Sequence, residues 1–398
     1  MKEMKIDAVF AQGSSSSDPV MYYLLNGINV TATYIKKRGE KAYIIHNPME
    51  REEAAKTGLR LISMNRYDMR SIYNKQKDRL KASAMLWKTA LDSLKVKGNV
   101  AFYGSAALGY GFNFLKYLIR LDKKIEIAYE PDKNIIMKAR ETKDLDEVSS
   151  IKKAGQRVAQ AFDATIRQVQ AMKVINGTII REKGKKLRIG DLKNIMRTEL
   201  YERGLVNSAG LIIAQGRDAG IPHNSGQNQE PVKLGRTIVF DIYPQFIGGG
   251  YYFDFTRTVC FGYAVPKYKE IYQQVKDAQD FVYSRLKVAT KTRNVEIALC
   301  KFFEKHGHPT FFTNPKTEIG YCHSLGHGVG LNIHENPGFS LFKNNKDILA
   351  PGMVFTVEPG LYYPDKGFGV RLEDIVYIDK KGRLVELTKC PRNLVVEI

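Results

Sequence analysis

Cysteine is scarce in this chain of 398 residues: Cys260, Cys300, Cys322 and Cys390 are scattered, with no paired spacing. They read as reduced thiols rather than a disulfide framework. Cys322 lies close to a Gly/His stretch, but the sequence shows no dedicated basic partner of the kind a catalytic thiolate needs. Long apolar runs are missing too, so nothing reaches the roughly 20 residues that cross a bilayer. The opening stretch Met1-Lys2-Glu3-Met4-Lys5-Ile6-Asp7 carries acids where a secretion signal would be apolar. The expectation is a cytoplasmic protein with no membrane partner. Acidic residues are also in deficit, 42 against 62 basic ones, for a net charge of +20. Such an excess raises the question of nucleic acid. The basic residues are nevertheless spread along the chain, and the one dense cluster, Arg181–Arg188, lies between two helical patterns and reads as a solvated loop. Aromatic and basic residues are not interleaved as base stacking requires, so nucleic acid is not an expected partner. The polar run Ser14–Ser17 lacks the lysine and helix signal of a P-loop.

What is present, 43% hydrophobic and 26% charged residues, fits a globular protein whose length calls for two domains. Over residues 1–138 strand and helix signals alternate, giving an α/β domain. Strands are expected at Lys5–Ala11, Val30–Lys36, Lys41–His46, Val100–Tyr103 and Ile125–Tyr129. Helices are expected at Met49–Gly58, Ser71–Leu94 and Phe112–Leu121. The charged stretch Ala139–Glu147 marks the boundary, with Asp144 or Asp146 capping a helix from Val148 onwards. Residues 139–398 read as α+β. Helices are expected at Asp191–Tyr201, Tyr268–Leu286 and Val295–Phe303. Strands are expected at Ser208–Ala214, Thr237–Tyr243, Tyr251–Cys260, Met353–Glu358 and Val370–Ile378.

Chemistry concentrates in the second domain. Tyr321–Pro337 places three of the seven histidines within twelve residues, with glycines around His327. Such backbone turns tightly or approaches something closely, and a histidine held there can bind a metal or move a proton. Asp241 and Asp254 lie in apolar strands joined across Gly248-Gly249-Gly250. Glu358 and Glu373 repeat the pattern in Val354–Ile378. A carboxylate inside an apolar strand is costly to bury unless something pairs with it. Two divalent cations would neutralise the four carboxylates, and oxygen ligands with one imidazole suit Mn²⁺, Co²⁺ or Zn²⁺. Held ~3.5–4 Å apart, two such ions activate one shared water, the pattern of a dinuclear metallohydrolase.

Six segments carry a resemblance. Asp241, Asp254-Phe255-Thr256-Arg257-Thr258, Gly326-His327-Gly328-Val329-Gly330, His334-Glu335-Asn336-Pro337, Val357-Glu358-Pro359-Gly360 and Val370-Arg371-Leu372-Glu373-Asp374 resemble the ordered ligand motifs of pita-bread metallopeptidases, which include methionine aminopeptidase, aminopeptidase P and prolidase. The first domain is similar to the creatinase-type domain of prolidases and aminopeptidases P, as at Tyr23-Leu24-Leu25-Asn26-Gly27. The resemblance implies an α+β pita-bread catalytic domain behind an N-terminal α/β creatinase-like domain. It implies a dinuclear peptidase that cleaves between an N-terminal residue and proline. Prolidase, acting on Xaa-Pro dipeptides, is the leading reading. Aminopeptidase P, acting on longer peptides, is the alternative, and a non-catalytic binding protein of the same fold is the alternative of another class. By position, Asp241 would chelate one ion, Asp254 and Glu373 would bridge, and His327 and Glu358 would hold the other, with Mn²⁺ favoured. Glu358 would also carry a proton. His223 and His334 would stabilise the tetrahedral intermediate on the substrate side. Arg371 would bind substrate or support the ligands, and His323 would stand behind them. A homodimer is implied as well. Where the family has Gly after its first aspartate, this chain has Ile242-Tyr243-Pro244, and Pro244 leads to the expectation of a bulge that realigns Asp241 with Asp254.

Overall fold

The computed structural model describes every residue except Ala209 and Lys389. It divides into two compact units, Met1–Ala139 with Gly248–Gly250, and Arg140–Ile247 with Tyr251–Ile398. In the first unit the strands β1 (Ala8–Ser14), β2 (Thr31–Lys37), β3 (Tyr43–His46), β4 (Arg60–Ser63), β5 (Gly98–Gly104) and β6 (Ile125–Ile127) form one mixed sheet in the order β4-β3-β2-β1-β5-β6. Strand β1 is apolar at successive positions because both of its faces are covered. Ala8 and Phe10 pack with Trp87 and Leu91, whereas Val9 and Ala11 pack with Met21 and Ile44. The helices are α1 (Pro19–Leu24), α2 (Arg51–Lys56), α3 (Met69–Lys75), α4 (Arg79–Ser93) and α5 (Leu108–Leu121), with α6 (Ile135–Arg140) at the end. The single helix expected over Ser71–Leu94 is two. Asp78 accepts from the backbone N–H groups of Leu80 and Lys81 at 3.0 and 3.2 Å, so it caps a new helix rather than continuing the old one.

The second unit opens with α7 (Leu145–Gln170). Asp144 accepts from the N–H of Glu147 at 2.9 Å, and Glu147 accepts from the N–H of Asp144 at 2.7 Å, a reciprocal cap. Inside α7 the chain needs glycine at Gly155, because a Cβ there would lie 2.3 Å from the ring of Phe253. The hairpin β7 (Lys173–Ile175) and β8 (Thr178–Ile180) leads to α8 (Ile189–Glu202), then β9 (Leu205–Val206) and β10 (Ile212–Gln215). Part of the strand expected at Ser208–Ala214 falls on Ala209, outside the described residues. There follow β11 (Ile238–Asp241), β12 (Gln245–Phe246), β13 (Thr256–Phe261), α9 (Pro266–Tyr283) and α10 (Thr292–Lys305). The remaining strands are β14 (His327–Gly328), β15 (Glu335–Gly338), β16 (Val354–Val357), β17 (Gly360–Tyr363), β18 (Phe368–Arg371), β19 (Asp374–Ile378), β20 (Leu384–Glu386) and β21 (Val395–Val396).

Two sheets frame the acidic residues, β10-β11-β13-β21 and β15-β14-β16-β19-β20. Phe162 of α7 packs against Phe240 and Phe255 at ring-centroid distances of 5.5 and 5.3 Å, which seals the first sheet on its far side. Truncating such a buried ring costs ~3–5 kcal/mol. The expected strand Val370–Ile378 is broken at Leu372-Glu373: β18 pairs with β17, and β19 with β16 and β20. Among the described residues no helix is long and apolar enough to cross a membrane.

Candidate metal centre

Strand register brings the acidic residues to one face. In β11–β13, Asp241 lies across from Thr256. Side chains alternate along a strand, so Asp254, two residues before Thr256, shares that face. An isolated bridge joins Thr256 to Glu373, which adds the second sheet's acid to the same face. In β16–β19, Val357 lies across from Asp374, so one further step sets Glu358 against Glu373. The N–H of Glu358 reaches the carbonyl of Leu325 at 2.9 Å, and the N–H of His327 donates to Thr356 Oγ1 at 3.0 Å, which sets His327 beside Glu358. Gly326 allows this approach, since a Cβ on it would stand 2.3 Å from the Thr356 carbonyl oxygen.

The bulge expected at Pro244 is absent. Ile242 N–H bonds the Phe255 carbonyl and Phe253 N–H bonds the Pro244 carbonyl, at 2.9 and 3.0 Å. Gln245 then bridges Tyr252, so the register of β11 and β13 runs unbroken through the proline. Pro244 keeps its place in the ladder by accepting a bond, since its nitrogen has none to give. The register shift lies instead between His327 and Gly328.

The resulting cluster has more acceptors than donors. Asp254, His327 and Glu373 each offer a ligand atom, all within 4.8 Å of one another. His327 Nε2 lies 3.6 Å from Asp254 Oδ2 and 3.4 Å from Glu358 Oε1. Its Nδ1, 3.1 Å from the Gly328 carbonyl, donates there, which leaves Nε2 a lone pair. Burial, with His334 beside it, pushes the imidazole down to about 4, so it is neutral at physiological pH. A lone pair therefore faces carboxylate lone pairs. Burial also lifts Asp254, Glu358 and Glu373 well above the ordinary carboxylate range, and each is raised further by its acidic neighbours. The donor set fits divalent cations, which would supply the positive charge that the protein itself does not.

Arg371 is buried and, among the described residues, pairs directly with Asp241 alone of these acids. Its Nη2 donates to Asp241 Oδ2 at 2.6 Å and its Nη1 to the Tyr362 hydroxyl at 2.6 Å and the Pro222 carbonyl at 3.4 Å. His323 Nε2 meets the same hydroxyl at 2.8 Å, and burial pushes this imidazole down to about 3. Thr256 Oγ1 donates to Glu373 Oε2 at 2.7 Å, and Thr356 Oγ1 to Glu358 Oε1 at 3.1 Å. His334 stacks edge-on to His327 at 4.2 Å between ring centroids. His223 and His334 are both exposed, and partial burial of the His334 ring together with His223 lowers its pKa. Sequence reading did not single out Thr256, Thr356 or Tyr362. For the threonines a signal existed: each lies two residues from an acid, Asp254 or Glu358, hence on its face.

Comparison with known proteins agrees with this chemistry. The model of metallopeptidase family M24 matches residues 149–380, more than half of the chain. The Xaa-Pro dipeptidase of Pyrococcus horikoshii is 28% identical over 99% of this chain and 96% of that protein. The Xaa-Pro dipeptidase of Pyrococcus furiosus is 28% identical over 99% of this chain and 97% of its own. Among solved structures, the prolidase from Pyrococcus furiosus superposes with a TM-score of 0.72 at 25% identity, covering 98% of this chain and 99% of that one. An X-Pro aminopeptidase from Thermotoga maritima gives 0.75 at 22% identity over 100% and 99%, a likeness of fold. The fold is the pita-bread architecture with a preceding α/β unit.

Proposed function

The chain belongs to metallopeptidase family M24, and from that premise we propose that it is a dinuclear Xaa-Pro dipeptidase, hydrolysing the bond between an N-terminal residue and proline. The observation that carries this reading is the lone pair of His327 Nε2 facing the oxygens of Asp254 and Glu358, with Glu373 in reach. Asp241, Asp254, His327, Glu358 and Glu373 would hold two divalent ions, Mn²⁺ by preference, with Asp254 and Glu373 the carboxylates common to both sites. Bound there, the ions supply Lewis-acid charge and lower the pKa of a water. Glu358 takes the proton of the attacking water on its carboxylate and returns it to the departing proline nitrogen. His223 and His334, exposed beside the cluster, steady the carbonyl oxygen of the substrate as negative charge develops on it. Arg371, its donors committed to Asp241 and Tyr362, holds Asp241 in place rather than meeting the peptide.

The proposal extends to a cytoplasmic homodimer with folding domains at 1–138 and 139–398. Its test is turnover of an Xaa-Pro dipeptide against an Xaa-Pro-Xaa tripeptide, after chelation and return of Mn²⁺, Co²⁺ or Zn²⁺. Preference for the dipeptide is expected. Preference for the tripeptide assigns the chain to the aminopeptidase P activity, and cleavage of neither removes the peptidase reading.

A further inference from the structure

The basic run Arg181–Arg188 is not a loose loop. Arg181 N–H bonds the Lys185 carbonyl at 2.9 Å and Leu187 N–H bonds the Ile179 carbonyl at 2.8 Å, across a turn made by Lys183 and Gly184 at φ 59° and 71°. Val232 N–H in turn bonds the Leu187 carbonyl at 2.8 Å, so the segment is held from both sides. Beside it opens a cavity of about 600 Å³ lined by Arg181, Lys185, Lys186, Arg188 and Arg197, with Asp191 the one acid. Five cations against one carboxylate leave a local charge of +4. Asp191 is already spent, since Oδ1 pairs with Arg181 Nη1 at 2.8 Å and Oδ2 accepts from Arg188 N–H at 2.9 Å. Arg188 Nη1 donates to Gln229, and Arg197 donates to Asn194 Oδ1 at 3.3 Å. No acid pairs with Lys185, Lys186 or Arg197 among the described residues. The leading N–H groups of α8 are taken by the Glu230 and Asn228 carbonyls, so the side chains, not the helix end, would be the ligands.

We propose that this cavity binds a small ligand bearing two or more adjacent phosphate groups. Like charges held on a fixed backbone repel one another, and a polyanion relieves that repulsion without rearrangement. The volume lies in the range of small-molecule sites, yet the lining is cationic rather than apolar, which selects charge over hydrophobic bulk. Arginine forks match phosphate oxygens, and a single phosphate cannot answer a charge of +4 spread over five side chains. The cavity contains none of the residues assigned to peptide hydrolysis.

Calorimetric titration of the full chain with tripolyphosphate tests this. Saturable binding at one site per chain is expected, weakening as salt rises. Orthophosphate should bind at least about tenfold more weakly, and the double variant Lys185→Gln, Lys186→Gln should weaken tripolyphosphate about tenfold. Peptidase turnover and melting temperature without ligand should stay unchanged in that variant, because both side chains are exposed. A short single-stranded oligonucleotide separates the sources of phosphate: competition by tripolyphosphate supports the compact site, and binding that tripolyphosphate does not displace overturns it. No binding at about 1 mM tripolyphosphate, or binding that the double variant leaves untouched, also overturns it.

Discussion

Glu373 and Asp374 are neighbours in sequence, and they show two ways to bury a carboxylate. Asp374 points away from the cluster and is closed by the protein itself. Arg257 Nη2 lies 2.7 Å from its Oδ1, Gln279 Nε2 donates to its Oδ2 at 3.0 Å, and both charged side chains are buried. Glu373 faces the other way, toward Asp254, Glu358 and His327, where acceptors outnumber donors. Glu296 is a third case, a fully buried acid that accepts from the Tyr321 hydroxyl and the Leu325 N–H, each at 2.7 Å, and has no ion pair among the described residues. A charge that its own chain neutralises is architecture. A set of acids left facing one another with their lone pairs converging is a place prepared for something else.

The contrast can be broken from either side. Glu358→Gln keeps the size of the side chain and one acceptor oxygen but cannot take a proton, so turnover should fall by ~10²–10⁴ while the fold persists. Near-normal turnover with metal bound would remove its proton-carrying role. Arg257→Met instead strands Asp374 without its partner, which should cost ~3–5 kcal/mol of stability. Chemical denaturation reads that loss, and an unchanged midpoint would mean that the pair is not holding the strands together. His334→Ala should lower kcat by about 10²-fold with metal content unchanged; loss of metal would make His334 a ligand.

A further effect concerns pH. Burial lifts Glu296 to about 8 against an ordinary 4.5. Its folded pKa is raised, so the stability it allows is complete below about 4.5 and is lost as pH rises through about 8. Glu296→Gln should therefore flatten the decline of stability over that window, by at most about 1.4 kcal/mol per pH unit. Parallel wild-type and variant curves would show that Glu296 does not titrate there.

The acids of the centre were legible because each stands in or directly beside an apolar strand, where a lone carboxylate makes no energetic sense. Their common face was not, because it depends on pairings between distant strands, Asp241 with Thr256 and Thr256 with Glu373. Val370–Ile378 looks like one strand in its residue types, yet its halves join different sheets, and only tertiary packing decides that. Pro244 suggested a bulge because its missing N–H is a local fact, whereas the partner that bonds its carbonyl, Phe253, is not. The same holds at Arg181–Arg188, where charge density indicated solvent and strand pairing with Ile179 and Val232 fixes the backbone. In the first unit the break at Asp78 was local and readable as a cap, masked by the helical residues on both sides.

On the proposed reading, Asp241, Asp254, His327, Glu358 and Glu373 together hold two divalent ions. The direct measurement is elemental analysis of the chelated protein during stepwise return of Mn²⁺, with Xaa-Pro dipeptide turnover followed in the same samples. If two ions drive the reaction, the stripped protein shows no turnover and recovers fully as bound metal reaches two ions per chain. Full turnover in protein shown to be free of metal would contradict it.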